Sequence, residues 1–416
     1  MPANIAIIGA GPAGLMAAHV LAQAGYPATV YEAMPSAARK FLQAGRGGLN
    51  LTHHEPLEAF ITHYNEAAPY LRTAIQTFTP QAMRAWAQQF GFETFVGSSG
   101  KVYPLDKKAA PLLRAWLHQL KHQGTTFKMR HRWTNWHLQS NAQITCAFET
   151  PNGPEEVAYD AIILALGGAS WPHLGSNGRW VSKLLKNSIE VAPLKAANMG
   201  FNVNWSALFK NKFAGQPLKN IQLSFTDIHG QTHKKMGELM ITVHGVEGSL
   251  IYTHAKYFRE QLEHAQPFSI KLDLFPHRTH AQLQKQLSAP RAKQSVSAFW
   301  KRFGLSGIKA SMLREVLSKE QILNPETVAQ TLKAFSLTLQ SARPITEAIS
   351  TAGGVSFQAL DDRLMLKAFP GVFCAGEMTD WEAPTGGYLL TGVMAQGQQA
   401  AQGLLNYLKL NTVAEF

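Results

Sequence analysis

Apolar and polar positions at the start of the chain follow the order strand, helix, strand. Residues 5–8 are a short apolar run, residues 15–24 have the composition of a helix that Gly25 ends, and residues 28–31 form a second apolar run closed by Glu32. This order predicts a β-α-β unit of about 30 residues. Further on, residues 110–122 predict an amphipathic helix, residues 125–149 several strands, and residues 161–166 a buried strand.

After Pro193 the pattern changes to short apolar segments separated by turns, which predicts antiparallel strands at 201–203, 221–228, 238–243, 249–252 and 269–274. Residues 279–335 have a polar, helical pattern, and residues 336–340 again predict a strand. A buried strand follows at 372–375 and a helix at 390–407. We therefore predict an α/β fold in which residues 1–194 and 343–416 form one nucleotide-binding domain around a shared sheet. Residues 195–342 are predicted to be inserted as a β-rich domain with a helical extension.

The turn after the first strand contains the first candidate binding residues. Gly9, Gly11 and Gly14 have the spacing GxGxxG between a strand and a helix, where they allow a tight turn, close approach of a pyrophosphate and close packing of helix on strand. Glu32, at the end of the second strand, is placed to accept the hydroxyls of an adenosine ribose. These residues alone fit NAD and FAD equally.

The rest of the chain resembles the BaiN-like (YhiN-type) family of NAD(P)/FAD-dependent oxidoreductases over nearly its whole length. The matching segments are 44–53, 100–104 (Gly-Lys-Val-Tyr-Pro), 165–172, 175–178 and 371–397 with Pro-Gly-x-x-x-Ala-Gly-Glu at its start. The chain departs from the family pattern where Leu49 replaces a cysteine, Gly48 an arginine and Val243 a histidine, and this indicates a divergent subgroup. His244 is displaced by one residue from that histidine position, so we carry no role over to it, and a turn residue and a proton donor remain its two interpretations.

The resemblance implies a Rossmann-like domain that binds FAD without a covalent link. Asp380 would hold a ribityl hydroxyl, and the backbone after Gly387 would lie beside the pyrimidine edge of the flavin. The remaining residues that we expect to contact the cofactor are Pro12, Ala13, Ala33, Arg39, Lys40, Gly47, Gly48, Asn50, Leu166, Gly167, Gly376, Glu377, Tyr388 and Leu389.

Composition excludes several classes of protein. The net charge is +12, but no run reaches five like charges, and dispersed charge favours a solvated surface over a nucleic-acid interface. Cys146 and Cys374 lie far apart in apolar runs, so a flavin-linked dithiol is excluded. We predict no metal site, because His229 and His233 straddle a turn without a cluster of carboxylates or thiols. Mean hydropathy of −0.12 and the absence of a long apolar run predict no membrane span and a cytoplasmic protein.

We therefore expect an FAD-dependent oxidoreductase whose small organic substrate binds in the cleft between the two domains. Because the chain has one GxGxxG motif in a strand-helix context, NAD(P)H would be a transient electron donor with no binding domain of its own. Two alternatives remain: a flavoenzyme that acts on RNA, and a flavin-bearing redox sensor without catalysis. The sequence assigns no catalytic residue and no oligomeric state.

Overall fold

A computed structural model describes residues 3–140, 143–265 and 267–414 of the chain. The strands are β1 (Ile5–Ile8), β2 (Thr29–Glu32), β3 (Thr52–His53), β4 (Thr94–Val96), β5 (Lys101–Pro104), β6 (Thr126–Met129), β7 (Arg132–Leu138), β8 (Ile144–Thr150), β9 (Gly153–Tyr159), β10 (Ala161–Leu164), β11 (Val191–Ala197), β12 (Phe201–Asn202), β13 (Pro217–Thr226), β14 (Thr232–Ile241), β15 (Gly245–Glu247), β16 (Phe268–Asp273), β17 (Phe335–Leu339), β18 (Ser341–Ala342), β19 (Ser350–Val355) and β20 (Val372–Cys374).

The helices are α1 (Pro12–Gln23), α2 (Arg39–Ala44), α3 (Leu57–Thr62), α4 (Ala68–Thr77), α5 (Pro80–Gln89), α6 (Ala109–His122), α7 (Val181–Lys186), α8 (Ala207–Phe213), α9 (Ser249–Tyr252), α10 (Ala255–His264), α11 (His280–Leu287), α12 (Val296–Lys301), α13 (Gly307–Val316), α14 (Pro325–Lys333) and α15 (Tyr388–Ala414). The chain divides into two compact units: unit 1 contains the residues up to 196 and from 349 onward, and unit 2 contains residues 197–348.

Unit 1 is built on a five-stranded sheet with the order β20-β10-β1-β2-β6. All four pairings are parallel. Every residue of β1, β10 and β20 is buried, as expected for parallel strands that are covered on both faces. The sheet therefore combines strands from both ends of the chain, as predicted, with β20 beside β10 and one strand away from β1.

The carboxyl-terminal helix α15 packs closely on α1. A Cβ atom at Gly397 of α15 would collide with the carbonyl oxygen of Ala13 of α1. Small residues on both sides therefore bring the last helix against the first one. Unit 1 also contains two three-stranded antiparallel sheets, β3-β5-β4 and β7-β8-β9.

Unit 2 contains a seven-stranded antiparallel sheet with the order β17-β16-β13-β14-β15-β12-β18. Its buried face carries Leu223 and Phe225 of β13, and Phe258 of α10 packs on Phe225 with ring centroids 4.8 Å apart. The prediction of a strand at residues 249–252 was wrong, because these residues form helix α9. Gly248, with φ of +98°, turns the chain into this helix directly after β15, and an apolar run of four residues does not distinguish strand from helix by its pattern.

Both cysteines are buried free thiols, and burial raises the pKa of Cys146 to about 12. Within the described parts of the chain, no helix combines the length and the apolar character needed to span a bilayer.

Candidate functional site

The glycine turn between β1 and α1 lies at the carboxyl end of the parallel sheet. Gly9 has φ of +110°, and a Cβ there would collide with the carbonyl oxygen of Ala165 at the end of β10. A Cβ at Gly14 would in turn collide with the carbonyl oxygen of Gly9. These two glycines are therefore required by the packing of the turn itself.

Gly11 differs from its two neighbours, because a Cβ at this position would meet no atom within 4 Å. It is the residue that precedes α1, no side chain caps the helix there, and Pro12 occupies the first helical position. Pro12 has no N–H, and the backbone N–H groups that follow it in the first turn of α1 lie in the positive field of the helix dipole, next to this open space. Such a helix terminus can bind a phosphate.

Glu32 ends β2 beside this turn, and backbone groups fix its carboxylate. Its Oε2 accepts a hydrogen bond from the N–H of Ala10 (3.0 Å), and its Oε1 accepts one from the N–H of Met34 (2.8 Å). Burial raises the pKa of Glu32, while these backbone donors and the nearby Arg39 oppose the shift. Each carboxylate oxygen has a second lone pair, so the oriented group can still accept hydroxyl donors.

An ion-pair network joins three of the predicted segments. The ammonium of Lys40 on α2 donates to the Oε2 of Glu377 (2.7 Å) and to the hydroxyl of Ser170 (2.8 Å). The other carboxylate oxygen of Glu377 accepts from the N–H of Thr351 (3.0 Å), whose hydroxyl accepts from Ala169 N–H. The network thus ties α2, the loop after β10, β19 and the loop after β20 together.

Three buried polar atoms in this region have no hydrogen-bond partner: Arg39 Nε, Asn50 Oδ1 and Ser176 Oγ. A Cβ atom at Gly167 would lie 3.3 Å from Ser176 Oγ, so these two residues of the loop after β10 are close neighbours. A buried donor or acceptor that is left unpaired costs about 1–3 kcal/mol. Together with the open space at Gly11, these atoms fit a region that receives a polar ligand.

The loop after β20 is held by a residue that the sequence analysis missed. Gln396 of α15 is fully buried, and its Oε1 accepts from Gly376 N–H (2.9 Å), the Thr379 hydroxyl (2.9 Å) and the indole of Trp381 (3.1 Å). Four glutamines occupy positions 396, 398, 399 and 402 of this helix, so the sequence alone does not single out Gln396. Asp380 follows in this loop, and burial raises its pKa, with further increases from Glu382 and Glu190.

The segment around Asn50 meets the start of α15 at Gly387. This residue has φ of +99°, and a Cβ there would lie 2.5 Å from the Cα of Thr52. The Thr52 hydroxyl also pairs with that of Thr391 at 2.9 Å. Gly47 and Gly48 precede Asn50 in the same segment. Gly48 approaches the ring of Tyr103, and a side chain at Gly47 would enter open space.

An aromatic and histidine cluster surrounds Tyr388, and it too was missed. The ring of His53 stacks on Tyr388 with a centroid distance of 5.2 Å, and His63 approaches Tyr388 to 4.1 Å. The Nδ1 of His53 lies 3.3 Å from the carbonyl oxygen of Gly386, and burial lowers the pKa of His53. Burial and Glu55 raise the pKa of Tyr388. These residues are scattered in sequence, so no local pattern marks them.

The remaining histidine candidates belong to unit 2. His244 is exposed between β14 and β15, as its interpretation as a turn residue predicted. His233 in unit 2 pairs with Asp227 at 2.6 Å. Among the described residues, no group of three or more His, Cys, Asp or Glu side chains could hold a metal ion.

Comparison with known proteins gives a family match and full-length relatives. The family model described as "HI0933-like protein Rossmann domain" matches residues 3–403. A ribosomal RNA dihydrouridine synthase of Haemophilus influenzae is 22% identical over 92% of this chain and 93% of its own length. The protein of the same name from Escherichia coli is 21% identical over 96% and 97%.

Among solved structures, a flavocytochrome c3 fumarate reductase superposes with a TM-score of 0.55 at 13% identity, covering 97% of this chain and 78% of that one. At this identity the likeness concerns the fold alone. The fold class is confirmed as a Rossmann-type FAD-binding domain with a sheet-rich insert.

Proposed function

This chain belongs to the HI0933-like Rossmann-domain family, as its motifs predicted, and from that premise we propose that it is an FAD-dependent reductase that acts on uracil bases in RNA. The family and the fold support a flavoenzyme in general terms. The RNA substrate is supported by the two relatives named ribosomal RNA dihydrouridine synthase, which align with this chain over more than nine-tenths of its length, insert included. This replaces our expectation of a small organic substrate as the first candidate.

The assignment of FAD rests on the open space at Gly11, just before α1, and on the Glu32 carboxylate that backbone groups orient beside it. We assign the pyrophosphate of FAD to the first turn of α1 and the adenosine ribose to Glu32. We also assign Arg39, Asn50 and Leu166 to Gly167 to the cofactor, because Asn50 Oδ1 and Arg39 Nε are buried polar atoms without a hydrogen-bond partner that it could satisfy.

For the flavin end we assign Asp380 to a ribityl hydroxyl and the backbone from Gly387 to Leu389 to the pyrimidine edge. The raised pKa of Asp380 suits this role, because a carboxyl that is costly to ionise without a partner gains from a hydroxyl donor. The Lys40–Glu377 ion pair would hold the two sides of the cradle at a fixed separation.

When bound, the flavin supplies hydride transfer, and the chain supplies binding, orientation and a proton. Reduction of the uracil 5,6 double bond adds a hydride to one carbon and a proton to the other. The two electrons come from a donor that first reduces the cofactor, and we propose NAD(P)H for it. The chain contains one GxGxxG motif in a strand-helix context, and we assign it to FAD, so the nicotinamide would bind transiently.

A small organic acceptor is the second candidate, and Leu49 favours it. This residue stands where the family motif has a cysteine, and it is 1% exposed. A thiol can donate a proton, whereas leucine cannot. The divergence at this position is consistent with a substrate that differs from that of the relatives.

The test begins with the purified full-length protein. We expect a yellow protein that releases intact FAD on boiling, identified by mass spectrometry; full occupancy by FMN or NAD, or colour that stays with the boiled protein, would contradict the cofactor assignment. The reduced protein is then incubated with unmodified ribosomal RNA. New dihydrouridine, measured by nucleoside mass spectrometry, supports RNA reduction. Reduction of quinones or enones together with unchanged RNA would favour the second candidate, and a flavin that no acceptor reoxidises would favour the redox sensor.

A further inference from the structure

The positive charge of the chain is concentrated in unit 2. Residues 197–348 contain 19 Lys and Arg against 10 Asp and Glu, whereas the rest of the chain contains 20 against 17. Most of the net charge of +12 therefore belongs to the insert, although no short run of like charges reveals it. Basic residues are dispersed along the chain without long runs, but they are not divided evenly between the two units.

Within the insert, residues 285–319 are the most basic part, with eight Lys and Arg and one acidic residue. That residue, Glu315, has both carboxylate oxygens engaged by Ser206, at 2.7 and 2.8 Å. Seven of the eight basic side chains are exposed: Lys285, Arg291, Lys293, Lys301, Arg302, Arg314 and Lys319. We call these seven the basic extension. In the described ranges of the chain, no ion pair joins Lys285, Arg291, Lys293 or Lys301 to a carboxylate.

The helices that carry the basic extension are packed together. Arg314 of α13 donates to the hydroxyl of Ser297 on α12 (2.9 Å) and lies over the ring of Trp300 at 5.1 Å. Arg278, just before α11, donates to the carbonyl oxygen of Phe303 after α12 (2.7 Å) and to Gln286 of α11 (3.3 Å). The cations are therefore presented by an ordered surface and not by a loose tail.

The apolar faces of these helices point inward. Leu283 and Leu287 of α11, Phe299 and Trp300 of α12, and Met312 and Leu313 of α13 are all buried. A helix that binds a lipid surface needs an exposed apolar face beside its cations, whereas here these six apolar side chains are buried and Val316 of α13 is a single exposed one beside them. A polyanion that is recognised by charge alone fits this surface better than a membrane does.

We propose that the basic extension, on α11 to α13 and the loops between them, binds the phosphodiester backbone of RNA. This inference rests on the proposed RNA substrate but concerns residues of unit 2 that we do not assign to the cofactor. The aromatic rings at this surface are buried or covered by arginine, so bases have no ring to stack on. The contacts would therefore position RNA without reading its sequence.

The test compares two variants that each lose four positive charges. The first is Lys285→Gln/Arg291→Gln/Lys293→Gln/Lys301→Gln in the basic extension. The control is Lys108→Gln/Lys121→Gln/Lys186→Gln/Lys409→Gln, at four exposed lysines of unit 1. Binding to a ribosomal RNA fragment is measured over a range of salt concentrations. Each lost phosphate contact lowers the slope of log affinity against log salt by about 0.7–0.9.

We expect the first variant to lose roughly 3 from the magnitude of that slope and at least about tenfold in affinity at low salt. The control variant should keep a slope near that of the wild type, and both variants should keep the FAD content and melting temperature of the wild type. Equal binding by the two variants would overturn the proposal, and so would wild-type protein that binds phosphatidylserine vesicles and not RNA. If the basic extension binds RNA but no dihydrouridine forms, the result supports the RNA-binding surface and contradicts the proposed reaction.

Discussion

Lys40 and Glu377 lie 337 positions apart in the chain, and their side chains form an ion pair with an N–O distance of 2.7 Å. Lys40 opens the glycine-rich segment that follows β2, and Glu377 follows the last strand of the parallel sheet. Their side chains are 25% and 9% exposed. The pair therefore joins the two ends of the chain at the edge of the sheet where we place the cofactor.

Glu377→Gln should destabilise unit 1 and accelerate the loss of FAD. The amide can still accept from Thr351, but its NH₂ group then faces the ammonium of Lys40. Removing one partner of a fully buried pair costs about 3–5 kcal/mol, and since Lys40 is partly exposed we expect about 2 kcal/mol after allowing for solvent screening. Urea unfolding measures the stability, and the rise of free flavin fluorescence measures the rate of FAD loss.

Two further variants separate the ion pair from general damage. Glu58→Gln breaks the exposed pair with Arg72, whose side chains are 70% and 44% exposed, and should change stability by about 0–1 kcal/mol. Lys40→Met/Glu377→Gln removes both charges, keeps an acceptor for the buried Thr351 N–H, and should be more stable than Glu377→Gln alone. A double variant less stable than Glu377→Gln would show that the ion pair is not the relevant interaction.

Gly11→Val and Gly14→Val should fail in different ways. A side chain at Gly11 enters open space, and its φ of −80° suits any residue, so this variant should fold. It should nevertheless lose FAD, because the valine fills the space that we assign to the pyrophosphate. A side chain at Gly14 collides with the backbone of Gly9, so Gly14→Val should impair folding itself. Flavin absorbance and the circular dichroism of the cofactor-free proteins measure both effects. Full flavin occupancy in Gly11→Val would refute the assignment.

Asp380→Asn should change how the stability of the cofactor-free protein depends on pH. The folded state raises the pKa of Asp380 above its ordinary value of 3.8, so the folded protein holds a proton that the unfolded chain has released. Stability from this group is therefore present below pH 3.8 and is lost as pH rises through the raised pKa. Relative to the wild type, Asp380→Asn should gain stability across that interval and keep a constant advantage above it. Urea midpoints measured from pH 4 to pH 7 check this, and parallel curves for the two proteins would contradict it.

Local patterns predicted the parts of the structure that depend on neighbouring residues. The β1-α1-β2 unit follows from apolar runs and glycine spacing, and the apolar runs at 161–166 and 372–375 predicted the sheet shared by both chain ends. Helix α9 was mistaken for a strand because its four residues carry no periodicity. Gln396 and the contacts of Tyr388 were missed for another reason: their partners are brought together only by the packing of α15. The residues assigned to the cofactor remain predictions about FAD.

The electron donor provides the last prediction. Because the sequence has one GxGxxG motif in a strand-helix context and we assign FAD to it, we expect NAD(P)H to bind, reduce the flavin and leave before the acceptor enters. We expect ping-pong kinetics and a high KM for the nucleotide, because few interactions supply binding energy. Anaerobic mixing with NADH or NADPH should bleach the flavin absorbance, and the Gly11→Val protein provides the control that lacks flavin. If neither nucleotide bleaches the flavin, the substrate itself must reduce it, and the protein would then act as an oxidase or dehydrogenase instead of a reductase.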